Sequence, residues 1–129
     1  MGNGKCVLII GLDPNLIDFK SPEYSAFPDL TPEKVIKGLH ADRDYLTTLG
    51  YEVEIALTDF GDSAEATVTT ALAKRKYACV LVGAGVRTVP KHFLLFERLI
   101  NLIHASAPGA KICFNTNPED TAAAVQRWL

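Results

Sequence analysis

The chain lacks the features that mark nucleic-acid-binding and membrane proteins. Lysine and arginine number 13 against 15 aspartates and glutamates, so the formal net charge is −2. Because binding to a phosphate backbone needs clustered positive charge, we expect no nucleic acid partner. No apolar run approaches the roughly 20 residues that a transmembrane helix needs, so we expect no membrane partner either.

Cysteine is also scarce, with Cys6, Cys79 and Cys113 as the only examples. Their spacing lacks the close pairs of a zinc site, and each lies inside a predicted strand. We therefore expect three reduced core thiols, no metal and no cofactor. The segment Met1–Lys5 lacks the apolar stretch of a secretory signal, and we expect a cytoplasmic protein.

Four short apolar segments, at 5–11, 51–58, 77–83 and 110–115, are the strongest positive signal. The first and third are apolar throughout, which is typical of strands buried on both faces, whereas the second alternates and suits an edge strand. Because helical patterns separate the segments, the crossovers make the sheet parallel. The predicted fold is one α/β domain over 1–129, a three-layer sandwich with a four-stranded parallel sheet in the order 2-1-3-4 and helices on both faces.

Capping residues predict where the helices begin and end. Thr31 and Pro32 begin the first helix, and Gly50 ends it. Asp62 is expected to cap the second helix, which runs to about Lys76. The last helix is expected to begin at Asn117, which caps it, followed by Pro118 and the acidic Glu119. It is expected to run to Trp128 and Leu129.

The third helix, from Pro90 to about Ser106, has an unusually wide apolar side. Leu94 stands alone on its polar side. Part of the apolar side could lie in a subunit interface, and with the open edge of strand four it favours a homodimer. The apolar side consists of Phe93, Leu95, Phe96, Leu99, Ile100, Leu102 and Ile103.

A long loop, 12–30, follows strand one and contains three prolines. Loops of this length in a compact domain are often functional lids. The alternative is a flap that packs Phe19, Tyr24 and Phe27 on the core, and one loop can do both.

Ligands of open parallel sheets bind beyond the carboxyl ends of the strands, where the strand order reverses, which here is between strands one and three. We expect an anionic small molecule there, because backbone N–H groups of Gly83–Gly85 could approach an anion and Arg87 could bind a phosphate or carboxylate. The predicted ligand-binding residues are Asp13, Asn15, Gly83, Gly85, Arg87, Thr88 and Asn115.

Structural roles are open for the same residues. The glycines could make a tight turn, Arg87 could brace a loop, and Asp13 could bond its own backbone in an ordinary turn. Asp59, after strand two, is expected to be structural. His92 could act as an acid or base at the edge, although a surface histidine is the simpler expectation.

The order of elements resembles the flavodoxin and response-regulator receiver architecture, without the fifth strand. The receiver family needs paired acids after strand one and a phospho-accepting aspartate after strand three, whereas Gly11–Asp13 and Gly83–Gly85 stand there. The resemblance therefore implies a fold and no activity. The phrases Gly83–Arg87 and Phe93–Arg98 are similar to those of small uncharacterised bacterial proteins.

Three functions are compatible with these residues. The first is binding of an anionic small molecule at the carboxyl edge of the sheet. The second is an enzyme acting there on a small phosphorylated or carboxylate substrate, with Asp13 or His92 as acid or base. The third is a homodimeric protein-interaction module. No nucleophile–base pair identifies a catalytic residue.

Overall fold

Over the described residues, the sheet has four parallel strands in the predicted order. The computed structural model describes residues 5–25, 28–61, 63–116 and 120–129. The sheet order is β2-β1-β3-β4, and each neighbouring pair is parallel. The strands are β1 (Cys6–Leu12), β2 (Glu52–Thr58), β3 (Cys79–Val82) and β4 (Lys111–Phe114).

In the described part of the chain, five α-helices connect or follow the strands. The sequence predicts a loop after the third strand. In the structure the short helix α3 begins there, directly after Gly83. The helices are α1 (Pro32–Thr48), α2 (Ala64–Lys74), α3 (Ala84–Arg87), α4 (Phe93–Ser106) and α5 (Thr121–Gln126), and 3₁₀ turns span Pro14–Leu16, Pro22–Tyr24 and Pro90–His92.

Two apolar layers cover the two faces of the sheet, which confirms the three-layer prediction. Leu8 and Ile10 of β1 pack with α2, α3 and α4, whereas Val7 and Ile9 pack with α1 and α5. Both central strands are buried on each face, as their continuous apolar runs predict. The edge strand β2 instead directs its acids toward one cation, since Arg75 contacts Glu52 at 2.9 Å and Glu54 at 3.4 Å.

Helix α1 begins and ends as its sequence predicts. The Thr31 hydroxyl accepts a hydrogen bond from the Lys34 N–H at 3.2 Å, and Pro32 is the first helical residue. Gly50, with φ of 98°, takes the left-handed conformation that follows the helix. The predicted caps Asp62 and Asn117, with Pro118 and Glu119, lie outside the described residues.

Helix α4 does not bury all of its predicted apolar side. Leu95, Leu99 and Ile103 are buried, whereas Phe93 is 58% exposed. The reason is the position of Phe93 around the helix: six residues before the buried Leu99, at about 100° per residue, it lies about 120° away from the buried side. Leu94, expected on the polar side, is 65% exposed.

Part of the predicted flap after β1 is present. Tyr24 is buried, and Phe19 packs edge-on against it with 5.2 Å between ring centroids. Phe27 lies outside the described residues.

The three cysteines are free thiols, but only two belong to the core. Cys79 and Cys113 are buried, whereas Cys6 is half-buried and its thiol donates a hydrogen bond to a Glu52 carboxylate oxygen at 3.2 Å. Burial and this bond raise the pKa of Cys6 above its usual range, which disfavours the reactive thiolate. In the described part of the chain, no helix has both the length and the apolar character needed to cross a bilayer.

Candidate functional site

The carboxyl ends of β1 and β3 approach closely at Gly83. Its N–H donates to the Ile10 carbonyl oxygen at 2.9 Å, and a Cβ at this position would lie 3.3 Å from the same oxygen. The backbone of Gly83 has an ordinary φ of −68°. Lack of space, and not backbone strain, therefore favours glycine here, and the chain enters α3 immediately beyond it.

Asn115 is the central polar residue of this edge. Its side-chain oxygen accepts from the Ala84 N–H at 2.8 Å, and its Nδ2 donates to the Thr121 hydroxyl at 3.0 Å. The Thr121 hydroxyl also interacts with the Asp42 carboxyl of α1, which counteracts the rise of the Asp42 pKa that burial causes. Asn115 and Thr121 are both buried, so the two bonds of Asn115 fix α3 relative to α5.

Arg87 is held against the end of β4. Its Nη2 donates to the Asn115 carbonyl oxygen at 2.7 Å, and its Cζ lies 5.7 Å from the centroid of the Phe114 ring. The Nε atom is buried and finds no acceptor among the described residues. Within the same ranges no carboxylate pairs with the guanidinium. The edge thus carries a positioned positive charge.

Gly85 and Thr88 complete the α3 segment. The Thr88 hydroxyl donates to the Ala84 carbonyl oxygen at 2.6 Å, which braces the single helical turn. Gly85 is exposed, its φ is not positive, and a Cβ there would meet nothing within 4 Å. Neither packing nor strain accounts for this glycine, and the backbone beside it is uncovered.

Asp13 and Asn15 form a turn of their own. One Asp13 carboxylate oxygen accepts from the Asn15 N–H at 3.0 Å and from its side-chain amide at 3.3 Å. The Asp13 N–H donates to the Thr58 carbonyl oxygen at 2.8 Å and prolongs the pairing of β1 with β2. Among the described residues no hydrogen bond joins this turn to the group around Arg87.

Asp59 braces the turn that enters α2, as the sequence predicts. Its carboxylate accepts from the N–H groups of Gly61, at 3.0 Å, and Ser63, at 3.2 Å, and from the Ser63 hydroxyl at 2.8 Å. The bond from the Gly61 N–H lowers the pKa of Asp59 most, followed by the bond from the Ser63 hydroxyl.

His92 is not a surface histidine, and that expectation is wrong. The residue is 5% exposed, and its ring stacks on Phe60 with 5.1 Å between centroids and 19° between planes. The 3₁₀ turn at Pro90–His92 directs the imidazole inward, whereas continuation of an α-helix from Pro90 was expected.

Sequence reasoning missed two polar residues of this edge, Asp42 and Asp120. Asp42 lies in the middle of α1 and meets Thr121 only in the folded chain. Asp120 has a local signal, since its carboxylate accepts from the Thr116 N–H at 2.9 Å and from the Thr116 hydroxyl. This pair could have been found from the four-residue spacing before α5.

No known protein family matches this sequence, and neither does any curated protein. Over the described ranges, no three His, Cys, Asp or Glu side chains are grouped so that they could hold a metal ion. The functional argument therefore depends on the side chains at the carboxyl edge.

Proposed function

We propose that this domain binds a small anion, a phosphate or carboxylate compound, at the carboxyl edge of the sheet beside α3. The observation that carries the proposal is the guanidinium of Arg87. It is fixed by Phe114 and Asn115 and pairs with no described carboxylate. The side chain is only half-buried, and a guanidinium has more N–H donors than the one that bonds Asn115, so an anionic acceptor can add charge-assisted hydrogen bonds.

The surroundings of Arg87 support the same proposal. The exposed backbone at Gly85 leaves room for a ligand to approach α3. The Asn115 side chain holds the Ala84 N–H and the end of β4 in one arrangement. A site positioned in this way loses little entropy when a ligand binds.

Thermal unfolding in the presence of inorganic phosphate, citrate and a nucleoside monophosphate tests the proposal. A ligand at 100 times its Kd adds about 2.7 kcal/mol to the free energy of unfolding, and sodium chloride at equal ionic strength controls for screening. We expect the Arg87→Ala variant to lose this stabilisation.

Arg127→Ala is the matched control. The Arg127 Nη2 donates to the Phe114 carbonyl oxygen at 3.0 Å, so this variant removes a cation and the same kind of bond from the adjacent residue. We expect it to keep the ligand-dependent stabilisation. No stabilisation by any of the three probes, or an equal loss in both variants, would contradict the proposal.

An enzyme at the same edge remains the alternative prediction. Its named acid or base residues are engaged elsewhere, since Asp13 holds a turn and His92 lies beneath Phe60. No contact in the described structure favours turnover over binding.

A further inference from the structure

A shallow groove lies on the outer surface of the domain, where α2 packs beside α4. Its volume is about 460 Å³. It opens on the side of α4 that faces away from the buried Leu95 and Leu99. The lining residues are Glu65 of α2 and Leu94, Glu97, Arg98, Asn101 and Leu102 of α4.

Large apolar side chains stand exposed at the start of this groove. Leu94 lines it directly, and Phe93 precedes Leu94 on the helix. Phe60 is 46% exposed and adjoins Gly61, where a Cβ would lie 3.8 Å from the Arg98 Nη1 atom. Leu94 is thus an exposed apolar residue within the groove, and Phe60 is another next to it through Gly61, and exposed apolar groups of this kind mark contact surfaces.

The charges of the groove are unpaired within the described chain. Glu65, Glu97 and Arg98 are exposed and line the same depression. The ion pairs of the described residues involve Arg43 and Arg75 alone among the arginines. The groove therefore presents both signs of charge around an apolar centre.

We infer that a second copy of this chain occupies the groove and forms a twofold-symmetric dimer through α4. In a twofold interface the same surface faces itself, so Arg98 of each copy can meet an acid of the other. Glu97 and Arg98 are adjacent on α4, so antiparallel packing of the two α4 helices about a twofold axis can place each arginine against the acid of the other copy. The 14 residues of α4 give a contact line of about 21 Å.

Sedimentation equilibrium over a wide range of protein concentration tests this inference. We expect the wild-type chain to dimerise and Leu94→Glu to raise the dimer Kd at least tenfold while its circular dichroism is unchanged. Leu16→Glu, which alters another exposed leucine outside the groove, is the control and should dimerise normally. A wild-type chain that stays monomeric, or equal weakening by both variants, would overturn the inference.

A charge exchange tests the pairing itself. We expect Arg98→Glu alone, and the double variant Glu65→Arg with Glu97→Arg alone, each to dimerise at least tenfold more weakly than wild type. Mixing the two should restore a heterodimer of near wild-type affinity, because each reversed charge then meets its opposite. Absence of recovery on mixing would overturn the proposed contact between Arg98 and the acids of the second copy. This outcome is independent of the anion site, which Arg98 does not form.

Discussion

The carboxyl edge and the α2–α4 groove both display polar side chains, but they use them differently. At the edge, the side chains of Asn115 and Thr88 form hydrogen bonds with neighbouring backbone and side-chain groups. In the groove, Glu65, Glu97 and Arg98 form no ion pair within the described residues. The edge is thus largely satisfied inside the monomer, whereas the groove is not.

The comparison distinguishes polar groups that stabilise the fold from polar groups that are available to bind a partner. A buried polar group with complete bonds stabilises the fold whether or not a ligand binds. An exposed apolar centre with unpaired charges gains free energy only when something covers it. Arg87 belongs to both classes, because one of its nitrogens is bonded and another is not.

The largest expected effect on stability comes from removing the hydrogen bonds of the Asn115 side chain at the carboxyl edge. Asn115→Ala leaves the Ala84 N–H and the Thr121 hydroxyl without their partner in a buried place, and we expect a loss of about 2–3 kcal/mol in the free energy of unfolding. Urea denaturation measures it. The control Thr47→Ala removes an exposed bond within α1, from the Thr47 hydroxyl to the Arg43 carbonyl oxygen, and should cost less than about 0.5 kcal/mol. Equal losses in the two variants would contradict the structural role of Asn115.

The sheet could be predicted from sequence because periodicity reports burial. The uninterrupted runs of β1 and β3 and the alternation of β2 are local patterns that fix which strands are central. Crossover handedness then leaves few strand orders. The cap at Thr31 and the brace at Asp59 are likewise local, since their partners lie within four residues.

The remaining features depend on partners that are distant in sequence or on helix type. Asn115 meets Ala84 across 31 residues, and no local pattern indicates that bond. The inward direction of His92 follows from the 3₁₀ turn at Pro90–His92. A proline is compatible with either helix type at its start, so this 3₁₀ turn could not be predicted.

A smaller effect, with a defined pH dependence, is expected at Asp59. Its hydrogen bonds favour the carboxylate, so its pKa is lower in the folded state than in the unfolded chain. The resulting stability is present above the unfolded pKa of about 4 and is lost as the pH falls through the folded value. Asp59→Asn should therefore unfold at a lower temperature than wild type at pH 7, and the difference should shrink in acid. The exposed Asp44, whose ion pair among the described residues is with adjacent Arg43, provides the control Asp44→Asn. A difference that is constant from pH 7 to pH 3 would contradict this role.

The smallest expected effect is at Asp42. Its pKa is raised in the folded state, whereas that of Asp59 is lowered, so its pH dependence has the opposite sign. Burial raises the pKa of Asp42 and the nearby Asp120 carboxylate adds to the rise, whereas the bond from Thr121 opposes it. A raised folded pKa means that stability falls as the pH rises from the unfolded pKa of about 4 through the folded value, because the folded state then loses a proton that it binds more tightly.

Asp42→Asn removes the charge and can still accept the Thr121 bond. We expect a gain of about 0.5 kcal/mol at pH 7, small because Asp42 is only half-buried and solvent screens its charge, and no gain at pH 3. Thermal unfolding at both pH values measures it. A loss of stability at pH 7 would show that the Asp42 carboxylate contributes more through Thr121 to the Asn115 network than its desolvation costs, and the edge would then depend on a charge as well as on hydrogen bonds.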